Sequence, residues 1–318
     1  MLCTVTRSLI RGTLLSLLCI AAQSLSAQQL PVVASFSVLA DMVREVGGPH
    51  VEVFSLVGPN ADSHVFDPTP ADAKRIASAK LVFVNGLGFE GWLDRLVKAS
   101  GYRGPIVVVS KGVSAPSGRT DDHAGVRAAN SKPVQHSHGV LDPHAWQNLA
   151  NAERYVQTIR DTLIAAMPMH SAQLSQRAAD YINRIQSLDQ ATKVRIAAVA
   201  AERRRVITSH DAFGYFAAAY GVTFYPLQGL ATASEPSAAE IVRIVDQIKK
   251  NKVSAIFTEN ISDPRVLERI AKDSGAKVGG RLYADALTEP GTAADTYLKM
   301  FERNVATIVQ GMAGNASQ

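Results

Sequence analysis

The chain has 318 residues, a formal net charge of +5, and 47% hydrophobic residues. This length and composition predict one large or two medium-sized domains with an ample core. The one tight run of basic residues, at 201–206, has no interleaved aromatic residues, which argues against a nucleic-acid-binding protein.

Residues 1–27 have the features of a secretory leader. They contain Arg7 and Arg11, no acidic residue, a short apolar run and small residues before a cleavage point at Ala27. The apolar run is shorter than the roughly 20 residues that a membrane span needs. We therefore expect cleavage of the leader and a soluble mature protein in the periplasm.

Both cysteines of the chain, Cys3 and Cys19, lie inside this predicted leader. The mature protein is therefore expected to have no disulfide and to depend on its core for stability. Lipid attachment at Cys19 is not expected, because Leu18 stands where lipoproteins have a small residue before the cysteine. We predict a free periplasmic monomer.

The rest of the sequence repeats one order of elements twice. Residues 31–58 and 205–230 each read as strand, helix, turn and strand, and each is followed by a helix, a buried strand, a corner with an asparagine, a helix and a strand. Short apolar strands that alternate with helices predict βαβ units with parallel sheets. We predict an α/β fold of two similar lobes, each a parallel sheet flanked by helices.

A stretch without glycine or proline separates the two repeats. Its apolar positions recur in steps of three and four, as one face of a helix requires. The stretch has roughly 30 residues, and a helix of that length would span roughly 45 Å. We predict that one long, rigid helix at 170–203 joins an N-terminal lobe at 28–169 to a C-terminal lobe at 204–318. The alternative is two shorter helices with a break near Gln190.

Four corners that follow predicted strands carry side chains of the kinds that bind metals. They are His64, His144, His210 and Asp285. In open parallel sheets ligands bind beyond the carboxyl ends of the strands, so we expect these side chains to meet, two from each lobe. Each alone could be a capping, packing or surface residue, but their places at corresponding corners favour one site. Three imidazoles and a carboxylate suit zinc, and they also allow manganese or iron.

Three further acidic residues near these corners are interpreted as supporting groups. Glu259 ends a predicted strand, and Asp67 and Asp142 lie in turns beside the first two histidines. Zinc sites usually stop at four ligands, and Asp285 already supplies a carboxylate. We therefore expect Glu259 to pack between the lobes or to hold a histidine. The other two are expected to form turns or to accept an imidazole N–H.

Four segments resemble the ligand segments of the zinc- and manganese-binding solute-binding proteins of ABC transporters, the ZnuA/TroA-like family. They are DSHVFDPTPAD, LDPHAWQNL, TSHDAFGYFAAAYGV and LYADAL. The resemblance covers essentially the whole mature chain. It implies two α/β lobes, a rigid spanning helix, and a metal ion buried between the lobes and delivered to a membrane permease. It assigns the ligand roles to His64, His144, His210 and Asp285. Histidine at the third position, where manganese-binding members often have glutamate, favours zinc.

The segment 121–140 is rich in small and polar residues and contains His123, His136 and His138. This composition predicts a mobile loop. It resembles a shortened form of the histidine-rich loop of zinc-specific members, which is proposed to capture metal. An ordinary solvated loop is the equally weighted alternative.

Three classes of function compete for this sequence. We favour a binding protein, not an enzyme, that captures zinc, or else manganese or iron, and presents it to an ABC permease. A secreted zinc hydrolase would need an open coordination position, and the chain has no HExxH motif. A binding protein for a siderophore, haem or corrinoid would be expected to have an aromatic- or arginine-lined cleft.

Overall fold

The computed structural model of the protein describes residues 29–113, 141–232 and 237–314. The predicted leader at 1–27 and the segment 121–140 with its three histidines lie outside these residues. Within the described ranges, no helix combines the length and apolar character that a membrane crossing requires.

The first half of the described chain forms one parallel sheet with helices between its strands. Its elements are β1 (Leu30–Phe36), α1 (Ser37–Gly47), β2 (Val51–Val57), α2 (Pro70–Ser78), β3 (Leu81–Val84), α3 (Leu93–Ser100) and β4 (Ile106–Val108). The strand order is β2-β1-β3-β4, and the pairings are parallel. Because the chain moves first to one side of β1 and then to the other, a crevice opens at the carboxyl ends of β1 and β3.

Two helices of the described residues lie between the two sheets in the chain. They are α4 (Leu149–Ala166) and α5 (Ser171–Ala197), a helix of 27 residues. The long helix is thus observed without a break near Gln190, although it ends at Ala197 rather than at 203. Not every apolar residue of this helix is buried. Val194 is 70% exposed, because the buried face at the end of α5 contains Thr192 and Ile196.

The second sheet repeats the first. Its elements are β5 (Arg205–Thr208), α6 (Gly214–Tyr220), β6 (Thr223–Pro226), α7 (Ala238–Asn251), β7 (Ala255–Glu259), α8 (Arg265–Ser274), β8 (Val278–Leu282) and α9 (Tyr297–Ala313). The order β6-β5-β7-β8 matches the order of the first sheet, and its pairings are again parallel. The predicted fold of two similar α/β lobes is confirmed. The lobe boundaries at 28–169 and 204–318 stay predictions.

One hydrophobic core continues from the first lobe into the second. Helix α9 packs on β8 of its own lobe and also on α5 and α1. A single cluster of buried side chains includes Phe36 and Phe83 of the first lobe and Phe216, Phe257 and Phe301 of the second. Burial of such a side chain stabilises a fold by roughly 1.5–3 kcal/mol. Packing therefore holds the lobes together in addition to the long helix.

A buried carboxylate also joins the lobes. Asp41 on α1 is 7% exposed and accepts a hydrogen bond of 2.8 Å from the main-chain N–H of Tyr297, the first residue of α9. Burial raises the pKa of Asp41 to about 7, although the bond from Tyr297 opposes this shift. The carboxyl group therefore takes up a proton more readily in the folded protein than in the unfolded chain.

We expect Asp41→Asn to stabilise the protein at pH 8 and to have little effect near pH 4. In the unfolded chain the pKa of an aspartate is about 3.9, so the folded state loses stability as the pH rises from about 4 to 7, where Asp41 ionises. The amide keeps an acceptor oxygen for Tyr297 without the charge. Chemical denaturation of both proteins at the two pH values should give a gain on the order of 1–3 kcal/mol at pH 8. A gain of equal size at pH 4 would show that ionisation of Asp41 is not the cause of the gain.

Candidate metal centre

The four predicted ligand residues meet where the two lobes join. His64, His144, His210 and Asp285 each offer one ligand atom, and these atoms lie within 4.8 Å of one another. Nε2 of His64 is 3.3 Å from Nε2 of His144 and 3.1 Å from Oδ2 of Asp285. Nε2 of His210 is also 3.1 Å from Oδ2 of Asp285, and Nε2 of His144 is 3.6 Å from Oδ1. A tetrahedral ion with bonds of about 2.0–2.1 Å separates its ligand atoms by about 3.3 Å, and these four contacts are close to that distance.

Tight turns built on aspartate carry the first two histidines. His64 lies in the loop between β2 and α2, and its main-chain N–H donates to Oδ1 of Asp62 at 2.8 Å. The N–H of His144 donates in the same way to Oδ1 of Asp142 at 3.0 Å. An aspartate side chain that accepts the N–H two residues later forms such a turn. Asp62 was not among the residues predicted from the sequence, although the Asp-x-His spacing that it shares with Asp142 is a signal for it.

The other two candidate ligands follow strands of the second sheet. His210 comes directly after β5, and Asp285 comes just after β8. Both positions are at carboxyl ends of strands, where the sequence placed them. Strand β8 itself ends at Leu282, three residues before Asp285.

Carboxylates hold two of the imidazole rings from behind. Nδ1 of His144 is 2.8 Å from Oδ1 of Asp142, and Nδ1 of His210 is 2.5 Å from Oε2 of Glu259. Each contact directs Nε2 of its ring towards the other ligands. Glu259 also accepts the main-chain N–H groups of Ser209 and His210, at 2.9 and 3.1 Å.

The three acidic residues that were interpreted as supporting groups make different contacts in the structure. Glu259 and Asp142 both hold a histidine, as interpreted. Asp67 does not, because its side chain is exposed and lines a surface cleft with Thr69 and Trp92. The carboxylate bonded to the His64 turn is that of Asp62.

Buried atoms without partners face the centre of the cluster. Among the described residues, Nε2 of His210 and both carboxylate oxygens of Asp285 are buried and make no hydrogen bond. His144, His210 and Asp285 are 0% exposed, and the side chain of His64 is 6% exposed. Buried polar atoms in folded proteins nearly always have a partner. These atoms therefore fit a bound cation.

The cluster binds protons strongly when it holds no metal. Burial alone would lower the pKa of His144, but the charge of Asp285 and the hydrogen bond to Asp142 raise it to about 9. Burial likewise opposes the rise at His210, whose pKa is held well above its ordinary value by Glu259 and Asp285. Burial would raise the pKa of Asp285, but His210 and His144 hold it well below its usual range. A cation and protons thus compete for the same atoms.

Aromatic rings form one wall of the cluster. The ring of Phe89 lies edge-on to His64 at 5.0 Å, and the ring of Trp146 lies 5.4 Å from His144. Phe36 packs against both Phe89 and Trp146, at 4.9 Å in each case. These rings exclude water on that side. The low dielectric strengthens the attraction between the ligand atoms and a cation.

Comparisons with known proteins found a family and several individual proteins that this chain is similar to. Residues 32–311 match a family model described as zinc-uptake complex component A, periplasmic. Manganese-binding lipoprotein MntA of Halalkalibacterium halodurans is 31% identical over 89% of each chain. Iron ABC transporter substrate-binding lipoprotein MtsA of Streptococcus pyogenes serotype M1 is 29% identical over 96% of this chain and 98% of its own. Periplasmic zinc binding protein TroA from Treponema pallidum is 27% identical with a TM-score of 0.79, over 90% of this chain and 99% of its own.

Proposed function

The chain belongs to the family of zinc-uptake complex component A, whose members are metal-binding substrate-binding proteins of ABC transporters, and from this premise we propose that its cargo is zinc. A membrane permease is the partner that this family implies. The observation that carries the zinc proposal is the donor set: three imidazole nitrogens and one carboxylate, with His64 Nε2 3.3 Å from His144 Nε2 and 3.1 Å from Asp285 Oδ2. Zinc favours nitrogen ligands in this geometry.

We assign the ligand roles to His64, His144, His210 and Asp285. The assignment is supported by the three buried ligand atoms without hydrogen bonds and by the carboxylates behind two of the rings. Four close ligands leave no open position for a water nucleophile, which a zinc hydrolase would need. Binding and transport therefore account for the site better than catalysis does.

Manganese or iron is the alternative cargo, and one feature of the site favours it. Both oxygens of Asp285 lack a hydrogen-bond partner, so this carboxylate has two free donor atoms. Binding through both would raise the coordination number and the share of oxygen ligands, which suits manganese. The relatives MntA and MtsA are named for manganese and iron.

We propose that the mature protein acts in the periplasm. The relatives MntA and MtsA are named lipoproteins, whereas Leu18 predicts no lipid at Cys19. Mass spectrometry of the mature N-terminus tests both expectations: cleavage after Ala27 gives a free protein, and a lipidated Cys19 would contradict that prediction. A role of His123, His136 and His138 in capture stays a prediction.

Elemental analysis of protein purified from periplasm without chelators tests the cargo. We expect about one zinc ion per chain. Almost any site with nitrogen and oxygen ligands binds zinc more tightly than manganese, so a titration alone does not identify the cargo, but it gives the affinities. Saturating zinc should also raise the free energy of unfolding, by about 4 kcal/mol at a thousandfold excess over Kd. Manganese or iron in the isolated protein would support the alternative, and an unchanged melting curve would count against metal binding.

Zinc binding at pH 7 is expected to release at least about one proton per chain, because the ligand imidazoles must be neutral. The pKa of His144 is about 9 without metal, so this ring is protonated at pH 7 before zinc binds. The affinity should therefore rise with pH up to about 9, by roughly tenfold per pH unit for each proton released. Calorimetric titrations in buffers with different ionisation enthalpies measure the number of protons. A binding enthalpy that is the same in all buffers would contradict the prediction.

A further inference from the structure

Trp146 holds the main chain beside Asp285. Its indole Nε1 donates to the carbonyl oxygen of Ala284 at 2.9 Å, and Nε2 of Gln147 donates to the same oxygen, also at 2.9 Å. Trp146, Gln147 and Ala284 are all 0% exposed. Two side chains that follow His144 in sequence thus hold the peptide that precedes the carboxylate ligand.

Trp92 makes the corresponding contact beside His64. Its Nε1 donates to the carbonyl oxygen of Ser63 at 2.9 Å, and its side chain is 3% exposed. Trp92 comes just before α3, far in sequence from the turn that it holds. The chain has two tryptophans, and each donates to the carbonyl group of the residue before a proposed ligand.

These contacts complement the carboxylates behind the other two ligands. His144 and His210 are held at Nδ1 of their rings by Asp142 and Glu259. The carboxylate of Asp285 has no hydrogen bond at either oxygen. Its direction therefore depends on the main chain that carries it, and the peptide at Ala284 is the nearest part of that chain.

We propose that Trp92 and Trp146 are positioning residues of the metal centre, each fixing the peptide before a ligand. The proposal rests on the ligand roles proposed above for His64 and Asp285. Held in its present direction, the carboxylate of Asp285 places Oδ2 3.1 Å from Nε2 of both His64 and His210, close to tetrahedral spacing, which suits zinc. A carboxylate that is free to turn offers both oxygens, which suits manganese. The indole of Trp146 thus contributes to metal preference without touching the metal.

Replacement by phenylalanine at each tryptophan tests the proposal, because an aromatic ring, although a smaller one, remains and the N–H group is lost. We expect Trp146→Phe to lower zinc affinity by about 10- to 100-fold, the usual effect of removing a group that orients a ligand. Manganese affinity should fall less, so the ratio of the two affinities narrows. Cobalt(II) bound to this variant should absorb less strongly, since absorption weakens as the coordination number rises above four. Gln147→Met should also lower zinc affinity more than manganese affinity, and the double variant should show the largest loss of zinc affinity.

Trp92→Phe is expected to lower the affinities for zinc and manganese by similar factors, because His64 offers the same nitrogen atom to both metals. Tyr102→Phe is the matched control. It removes a hydroxyl that donates to the carbonyl oxygen of Pro105 at 3.1 Å, just before β4 and thus at the end of the sheet away from the centre. Its metal affinities should equal those of the wild type.

Melting temperatures of the metal-free proteins separate lost stability from lost positioning. Trp146→Phe and Gln147→Met with wild-type zinc affinity and a wild-type cobalt spectrum would overturn the proposal for Asp285. Trp92→Phe with wild-type affinities would overturn the proposal for His64. If the wild type itself binds no zinc, manganese or cobalt, the proposed ligand roles are wrong. The titration of the wild type therefore distinguishes failure of the ligand assignment from failure of the positioning proposal.

Discussion

Asp285→Ala is expected to lower zinc affinity by at least about a thousandfold, more than the 10- to 100-fold typical of a supporting group. Asp285 is the one carboxylate among the four proposed ligands, and its Oδ2 is 3.1 Å from Nε2 of both His64 and His210. Its removal takes away a donor atom and the negative charge that offsets the cation. The stability of the metal-free fold should fall much less than the zinc affinity does, because His144 and His210 can remain buried as neutral imidazoles.

A competition titration of zinc against a chromophoric chelator measures this loss. Asp273→Ala is the matched control, because Asp273 on α8 has a side chain 48% exposed and pairs with Arg269 on the same helix. This control should bind zinc as the wild type does. Asp285→Ala with an affinity within tenfold of the wild type would show that Asp285 is no ligand.

The fold and the four candidate ligands were predictable because both depend on local patterns. The strands are short apolar runs, and each doubled stretch shows its turns through glycine, proline or asparagine. His210 directly follows the strand Arg205–Thr208, and Asp285 follows Val278–Leu282. Parallel strands bring their carboxyl ends to one edge of a sheet. Strand order therefore brings residues of one sheet that are far apart in the chain, such as His210 and Asp285, to the same edge.

The contacts that support the ligands were harder to predict, because most of them depend on how the elements pack. Glu259 reaches His210 only because β7 pairs with β5. The bond from Trp146 to Ala284 joins residues 138 apart and requires the two lobes to be docked. Asp67 and Asp62 flank the same histidine, and the turn geometry shows that Asp62 is the residue bonded to it.

The shared core of the two lobes was likewise invisible in the pattern of the sequence. The repeats indicate two similar units, but they do not indicate that α9 packs on α1 and α5 as well as on its own sheet. Apolar residues on α9 such as Phe301 and Ile308 read simply as one face of a helix. Periodicity identifies a buried face but not the element that covers it.

His210→Glu is expected to lower zinc affinity strongly and to narrow the preference for zinc over manganese. An imidazole nitrogen is replaced by carboxylate oxygen, which suits manganese better than zinc. Because of the position of Glu259, this variant should lose more metal affinity than the exchange of one ligand for another would cause by itself. Its Oε2 lies 2.5 Å from Nδ1 of His210, so a carboxylate at position 210 would face Glu259 as well as Asp285. Repulsion between the buried carboxylates would raise the pKa of one of them and weaken binding of both metals.

The double variant His210→Glu/Glu259→Gln separates the exchange of ligand from this repulsion. The amide of the second substitution can donate a hydrogen bond to the new carboxylate, so manganese affinity should recover relative to His210→Glu alone. Zinc should still bind more tightly than manganese, because that order holds for sites with nitrogen and oxygen ligands in general. His210→Ala should weaken binding of both metals, and Glu259→Gln alone shows the effect of losing the supporting carboxylate. Competition titrations with both metals in one buffer measure all five proteins. Equal affinities in the wild type, His210→Glu and His210→Ala would exclude His210 as a ligand, and its contact with Glu259 would then serve only to hold the corner after β5.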